Sequence, residues 1–220
     1  MDTRDRDLRS YYAARAAEYD RIYDKPERQA DLRAIEAWLP DQVRGRRVLE
    51  VACGTGHWTP FLAAAATGVV ALDAAVETLV VARHRPGTGR VEFMTGDAYD
   101  LPADLGPFDA AFAGFWFSHV SRRRQREFLR HMGSRVRPGA RVVLLDNRYV
   151  EGSSTPVDAP DADGDTHQQR TLDNGTVHRV LKNFPTPGEL RALVEGLGSD
   201  VEVVEWPHYW ALTYRQSPIA

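Results

Sequence analysis

Glu50, Gly54 and Gly56 stand at close spacing in the run Val48-Leu49-Glu50-Val51-Ala52-Cys53-Gly54-Thr55-Gly56-His57-Trp58-Thr59, and two more acids, Asp73 and Asp97, follow at intervals. An apolar run, an acid and then glycines opening a helical pattern reads as strand, tight turn and helix, the place where an α/β sheet binds an adenosine-containing cofactor. Glycine suits that turn because a larger side chain would hold a ligand away from the amides at the helix start. Asp73 ends the apolar strand Val69-Val70-Ala71-Leu72, 17 residues after Gly56. A carboxylate there can accept hydrogen bonds from both hydroxyls of a ribose. Asp97 follows the strand Val91-Glu92-Phe93-Met94 in Gly96-Asp97-Ala98-Tyr99 and is placed to take an adenine amino group, with neighbouring side chains that can cover the ring.

A second constellation follows the fourth strand, Phe108 to Ala113, which opens into Gly114-Phe115-Trp116-Phe117-Ser118-His119. Phe115, Trp116 and Phe117 can wall a reaction pocket or pack in the core. His119 is the candidate base or hydrogen-bond donor to an anionic substrate, against the alternative of a satisfied structural histidine. Further along, Asp173-Asn174-Gly175 marks a hairpin between His167 to Thr171 and Thr176 to Phe184. A three-residue loop with Gly175 left-handed pairs Arg170 with His178 and puts Arg170, His178, Val180 and Lys182 on one face. A two-residue turn pairs Arg170 with Arg179 and sends Lys182 to the opposite face. Lys25 and Lys182 are the only lysines in the chain, and Arg148, just beyond the fifth strand, is a further candidate for the pocket. Arg122-Arg123-Arg124 starts a helix and reads as solvated.

Other chemistries are disfavoured. Asp161-Ala162-Asp163-Gly164-Asp165 suggests calcium, but Thr166 stands where an EF-hand needs glycine and Leu172 where it needs glutamate. No metal is expected. The single cysteine, Cys53, allows no internal disulfide and reads as a small buried side chain. A net charge of −3 gives no basic footprint for nucleic acid, and no apolar run approaches the ~18 residues of a membrane span. These features lead us to expect a cytoplasmic protein, monomeric or homodimeric, acting on a small molecule and on neither nucleic acid nor membrane.

The elements that must position these residues alternate. Leu8 to Leu39 reads as two helices, with Tyr12, Ala16 and Tyr19 at helical spacing, either a stripe packed on the sheet or part of a lid. From Arg47 to Asp146, strands alternate with helices at His57 to Ala66, Ala75 to Arg83 and Arg122 to Val136, the last expected to end at Pro138-Gly139. Arg141 to Asp146 is the fifth strand. A polar loop, the hairpin, a helix near Gly188 to Leu197 and two strands, Val201 to Glu205 and Trp210 to Tyr214, complete the chain. With 220 residues and 43% hydrophobic content, one domain suffices. The expectation is an α/β, Rossmann-like, seven-stranded and mostly parallel sheet with helices on both faces. Within it, residues 1–45 form a helical lid, 46–150 the cofactor-binding core, 151–184 a loop and hairpin substrate cap inserted after the fifth strand, and 185–220 the last helix and closing strands.

The motif formed by Glu50, Gly54 and Gly56 resembles that of the class I S-adenosylmethionine-dependent methyltransferases. Position 52 departs from it, carrying Ala where a first glycine is common. The resemblance implies S-adenosylmethionine as cofactor and S-adenosylhomocysteine as product, with Glu50, Ala52, Gly54, Gly56 and Trp58 around the turn, Asp73 and Ala74 on the ribose side, Asp97 and Ala98 on the adenine, and Phe115 close by. It also implies a lid, since Tyr11-Tyr12, Arg15-Ala16 and Glu18-Tyr19-Asp20 resemble the start of small-molecule methyltransferases; Tyr12 and Tyr19 would cover the cofactor. A dinucleotide oxidoreductase would want a third glycine where Trp58 and Thr59 stand. The acidic or amide residue followed by two prolines, used by methylases of DNA bases and protein amides, is replaced by Ala113-Gly114-Phe115-Trp116. The segments Gln169-Arg170-Thr171-Leu172 and Val180-Leu181-Lys182-Asn183-Phe184, with Tyr11-Tyr12, Trp116 and Ser118-His119-Val120, resemble a bacterial phosphonate O-methyltransferase of natural-product biosynthesis. That resemblance implies methylation of an oxygen of an anionic metabolite, carboxylate or phosphonate, with Arg170 and Lys182 holding the anion, Trp116 beside it and His119 assisting; Arg148 stays a candidate only by its place after the fifth strand. Between Asp20 and Ala37 the likeness fades, so no substrate contact is implied there. N-methylation of an amine or amino sugar, and a catalytically silent cofactor-binding protein, are the alternatives.

Overall fold

The computed structural model describes residues 3–218. Seven strands form one sheet in the order β3-β2-β1-β4-β5-β9-β8: β1 (Arg47–Val51), β2 (Gly68–Asp73), β3 (Val91–Thr95), β4 (Phe108–Gly114), β5 (Val136–Asn147), β8 (Gly198–Glu205) and β9 (Tyr209–Gln216). The first five are parallel, and β9 pairs antiparallel with both β5 and β8. β6 (His167–Thr171) and β7 (Val177–Leu181) form the separate hairpin. The strand order reverses between β1 and β4, so their carboxyl ends diverge and leave the crevice where open α/β sheets bind ligands.

Strands covered on both faces carry nearly unbroken apolar runs, as Val48, Leu49 and Val51 do in β1. On one face, Phe128, Leu129 and Met132 of α5 (Arg122–Gly133) and Leu190 of α6 (Pro187–Leu193) pack on Leu49, Val142 and Leu144. On the other, Leu32, Ile35, Leu39 and Val43 of α2 (Gln29–Val43) and Leu62 of α3 (Thr59–Ala63) pack on Val48, Ala71 and Val143. α4 (Val76–Arg83) lies along β2 and β3. α6 begins with a capping box between Thr186 and Glu189 and with Pro187 in its first turn. Among the described residues no helix is long and apolar enough to cross a membrane.

Several boundaries differ from expectation. The N-terminal helix α1 (Thr3–Arg15) stops at Arg15, and two 3-10 turns, Tyr19–Tyr23 and Pro26–Arg28, carry the chain to α2. Lys25 is extended before Pro26, which breaks the helical path. α2 is therefore a core helix rather than part of a lid, and the covering segment is residues 3–28. α5 ends at Gly133, because β5 already starts at Val136 and runs through Pro138-Gly139. The glycine-turn helix is short, Thr59–Ala63, and leaves His57 and Trp58 in the turn. In the hairpin, Arg170 pairs with His178, Leu172 N donates to Thr176 O and Gly175 has φ +83°, which is the three-residue loop.

Candidate active site

The turn after β1 is left-handed at Ala52, Gly54 and Gly56, with φ of +55°, +56° and +74°. It folds back on β2, where Gly54 N donates to Asp73 Oδ2 at 2.8 Å. Asp73 Oδ1 accepts from Ala75 N at 2.9 Å and from Thr78 Oγ1 at 3.1 Å, so the carboxylate is pinned at the strand tip. Burial raises its pKa while these donors oppose the rise. Glu50 is buried beneath the turn and accepts from Thr59 Oγ1 at 2.8 Å. Burial pushes its pKa up to about 8, with the Asp73 charge acting in the same sense.

One enclosed cavity runs along these strand ends. Glu50, Ala52, Gly54 and Trp58 line it at the turn, Asp73, Ala74, Asp97 and Ala98 at the tips of β2 and β3, and Phe115 and Trp116 after β4. Tyr12, Tyr19 and Tyr23 of the covering segment complete the lining. Phe115 sits at φ +59°, with its amide bonded to Leu145 O at 2.7 Å. Its ring stacks between Tyr23 and Tyr209, at centroid distances of 5.6 and 5.4 Å. A backbone strained at a site lining and held by packing on both sides is typical of a ligand clamp. The donor set fits a nucleoside bearing a cationic sulfur: carboxylates at the β2 and β3 tips for hydroxyl and amino groups, and tyrosine rings for the cation. Gly56 lies outside this cavity. A Cβ there would meet Ala82 Cβ at 2.9 Å, so this glycine lets the turn approach α4.

Tyr12, Tyr19 and Phe115 also line a second cavity of about 340 Å³, between the covering segment and the hairpin. It collects cations: Arg15, Lys25, Arg28, Arg170 and Lys182. Arg28 is 6% exposed, and its guanidinium donates to Ser153 Oγ at 3.0 Å and to Asn147 Oδ1 at 2.9 Å. Lys25 donates to the Ser153 carbonyl, Arg15 to Tyr11 Oη at 2.8 Å, and Arg170 to Gln168 Oε1. All of these partners are neutral. Arg21, on the rim, is exposed and paired with Asp173 at 2.7 Å. Lys182 differs again, because its ammonium is buried 3.0 Å from Asp146 Oδ1 and 2.5 Å from Ser118 Oγ. Burial lowers the pKa of Lys182, with the Asp146 carboxylate opposing. Burial would raise Asp146, but Lys182, His119 and the amides of Ser118 and Asn147 together hold the acid below its ordinary value.

His119 lines the cationic cavity and not the nucleoside one, from which Tyr12 reaches it. Its Nδ1 is 2.7 Å from Leu181 O and its Nε2 2.7 Å from Tyr12 Oη. Burial, followed by the Lys182 charge, pushes its pKa down to about 3.

Arg148 is not in either cavity. It turns toward β8 and β9, where Nη1 donates to Trp206 O at 2.9 Å and Nε lies 3.4 Å from Glu205. Trp116 lines the nucleoside cavity instead of the cationic one. Arg122 is tied to Glu189 and the Gly164 carbonyl. Asp161 Oδ1 accepts the amides of Asp163 and Asp165, both at 3.0 Å, which shapes a loop turn. Sequence reasoning missed Lys25, Arg28, Asn147 and Ser153. Lys25 had its rarity as a signal, but nothing in the sequence distinguishes buried Arg28 from the many exposed arginines.

A family model described as a methyltransferase domain matches residues 48–139. The chain is similar to the demethylmenaquinone methyltransferase of Clavibacter sepedonicus, 40% identical over 107 residues, which are 47% of this chain and 42% of that protein. It is also similar to the ubiquinone/menaquinone biosynthesis C-methyltransferase UbiE of Methylobacterium nodulans, 31% identical over 183 residues, covering 74% of this chain and 69% of the other. Coverage of the first of these relatives is thus less than half its length. Among solved structures, DhpI in complex with SAH superposes with a TM-score of 0.80 at 33% identity, covering 97% of both chains. The DhpI complex with SAM and HEP gives the same score at 32% identity, covering 98% of this chain and 99% of that one.

Proposed function

We infer that this chain, which belongs to the class I S-adenosylmethionine-dependent methyltransferases, transfers a methyl group to an oxygen of a small anionic molecule held in the cationic cavity. When bound, S-adenosylmethionine supplies an electrophilic methyl carbon on a sulfonium, open to in-line displacement. Asp73 and Asp97 hold its nucleoside, the turn at Ala52 and Gly54 takes its amino-acid end, and Tyr12, Tyr19 and Phe115, which line both cavities, frame the place where the acceptor reaches the methyl. The covering segment keeps water from this junction.

One observation carries the choice of acceptor: the Arg28 guanidinium is buried and its own hydrogen bonds go only to neutral groups, the exposed Glu27 carboxylate being linked to it through Ser153 Oγ. Buried charges are normally paired, because an unpaired one forfeits its hydration without return. Arg15, Lys25 and Arg170 line the same cavity, also with neutral partners. A carboxylate or phosphonate would supply the missing charge and exploit the forked guanidinium donors. The quinone substrates named for two relatives are largely apolar and would leave these cations unpaired.

The test is S-adenosylhomocysteine formation against a panel of small carboxylates and phosphonates beside their neutral amides and esters. Only the acids should turn over. Arg28→Ala should raise KM for an accepted acid at least about tenfold, the scale of a lost charged hydrogen bond, while leaving the melting temperature unchanged or higher. Equal turnover of the neutral analogues, or an unchanged KM in Arg28→Ala, would refute the anionic acceptor.

A further inference from the structure

His119 offers the acceptor a lone pair. Its Nδ1 lies 2.7 Å from the Leu181 carbonyl oxygen, and a carbonyl can only accept, so Nδ1 carries the ring proton. Nε2 is then an acceptor, and the Tyr12 hydroxyl donates to it across 2.7 Å. Tyr12 lines both cavities and His119 the cationic one, so the lone pair of Nε2 lies on the acceptor side. Burial first, and then the balance of charges around the ring, keep it neutral. Lys182, just after β7, and Arg170 on β6 both oppose a second proton, while Asp146 on β5 favours one. Asp146 is already engaged by Lys182 and by the Ser118 amide at 2.8 Å.

We propose that the His119 lone pair selects the protonation state of the acceptor: the oxygen to be methylated enters carrying a hydrogen, which it donates to Nε2 in place of Tyr12, while a charged group of the same molecule sits at Arg28 and Arg170. This rests on the anionic-acceptor reading and narrows it. The matching chemistry is an O–H beside an anionic group, found in a phosphonic monoanion with its remaining P–OH or in an acid with a neighbouring alcohol. A fully ionised carboxylate would set its lone pairs against that of Nε2. In the reaction the acceptor proton passes to Nε2, and the former O–H electron pair remains on oxygen. An oxygen lone pair forms the new O–C bond, and the C–S pair leaves with sulfur. The imidazolium, disfavoured beside Lys182, then releases its proton to solvent.

Calorimetric titration of the S-adenosylhomocysteine-loaded protein tests this with methylphosphonate below and above its second ionisation, and with glycolate against acetate. Wild type is compared with His119→Ala, so that other groups titrating over the range cancel. In wild type, the ratio of monoanion to dianion affinity, or of glycolate to acetate affinity, should exceed that of His119→Ala by about tenfold, the upper end of one neutral hydrogen bond. The first pair of probes reports a P–OH acceptor and the second an alcohol. Equal ratios in both proteins for both pairs would overturn the proposal. Failure of wild type to bind any of these anions would overturn the anionic-acceptor reading, and the selection with it. Because His119→Ala can misfold, ¹⁵N NMR of histidine-labelled wild type gives an independent check. A neutral ring protonated at Nδ1 is expected near neutral pH, and an Nε2-protonated ring or an imidazolium there would refute the assignment.

Discussion

At the scale of single residues, Arg28, Arg170 and Lys182 carry the same charge and line the same cavity but do different work. Lys182 is one half of a buried pair with Asp146, and Ser118 completes its surroundings. Removing one member of such a pair strands the other charge, at a cost of about 3–5 kcal/mol. Lys182→Ala should therefore lower the melting temperature steeply, while Arg170→Ala, which loses only a neutral partner in Gln168, should leave it nearly unchanged and raise KM. Thermal unfolding beside steady-state kinetics separates the two, and equal melting temperatures for both variants would contradict the division. The hairpin pattern left Arg170 opposite either His178 or Arg179, and the fold takes the first, whereas Arg170 and Lys182 as candidate cations were legible in the sequence. The Lys182 ammonium's commitment to Asp146 was not, because the pairing spans 36 residues and depends on how the hairpin docks against β5.

At the scale of elements, the glycine turn was readable because an acid, the glycines and the flanking apolar runs form a local pattern. What each glycine does depends on packing. Gly56 faces Ala82 of α4, where an added Cβ would overlap at 2.9 Å, whereas Gly54 has open space around it. Gly56→Ala should cost about 2–4 kcal/mol, combining left-handed strain with overpacking, although it lines neither of the two cavities described. Ala52 already sustains φ +55°, so Ala52→Gly relieves strain and should be neutral or stabilising by up to about 1 kcal/mol. Denaturant midpoints check both, and a destabilised Ala52→Gly would show that the methyl contributes packing worth more than the strain. The covering segment was harder to place. Tyr12 and Tyr19 were expected on one helix, yet α1 ends between them and their rings still meet at 5.6 Å. Helical spacing identified the right pair through the wrong geometry.

At the scale of the whole molecule, the mostly parallel sheet followed from alternation in the sequence, whereas its strand order comes from the fold and the distribution of protons depends on burial that no local pattern reveals. His57 and His119 have pKa values lowered to about 4 and about 3, chiefly by burial. Both are neutral in the fold, so below about pH 6.5 the unfolded chain binds protons that the folded one refuses, and stability falls as pH falls. Asp146, held below its usual value, adds to this loss at the acid end. Glu50 works in the opposite direction. Its pKa of about 8 keeps it protonated in the fold, whereas the unfolded chain ionises it from about pH 4.5 upward, so its contribution declines as pH rises to about 8. Stability of the cofactor-free protein should therefore peak near pH 6.5 and fall on both sides. Glu50→Gln should flatten the alkaline limb and leave the acid limb in place. S-adenosylmethionine brings positive charge into the cavity that Glu50 lines, which favours the ionised carboxylate, so binding should release protons between about pH 5 and 8 and reduce the alkaline decline. Melting temperatures across pH with and without cofactor, together with binding heats in buffers of different ionisation enthalpy, measure both effects. Binding with no proton release in that window would mean that Glu50 stays protonated beneath the cofactor and acts through Thr59 as a support for the turn alone.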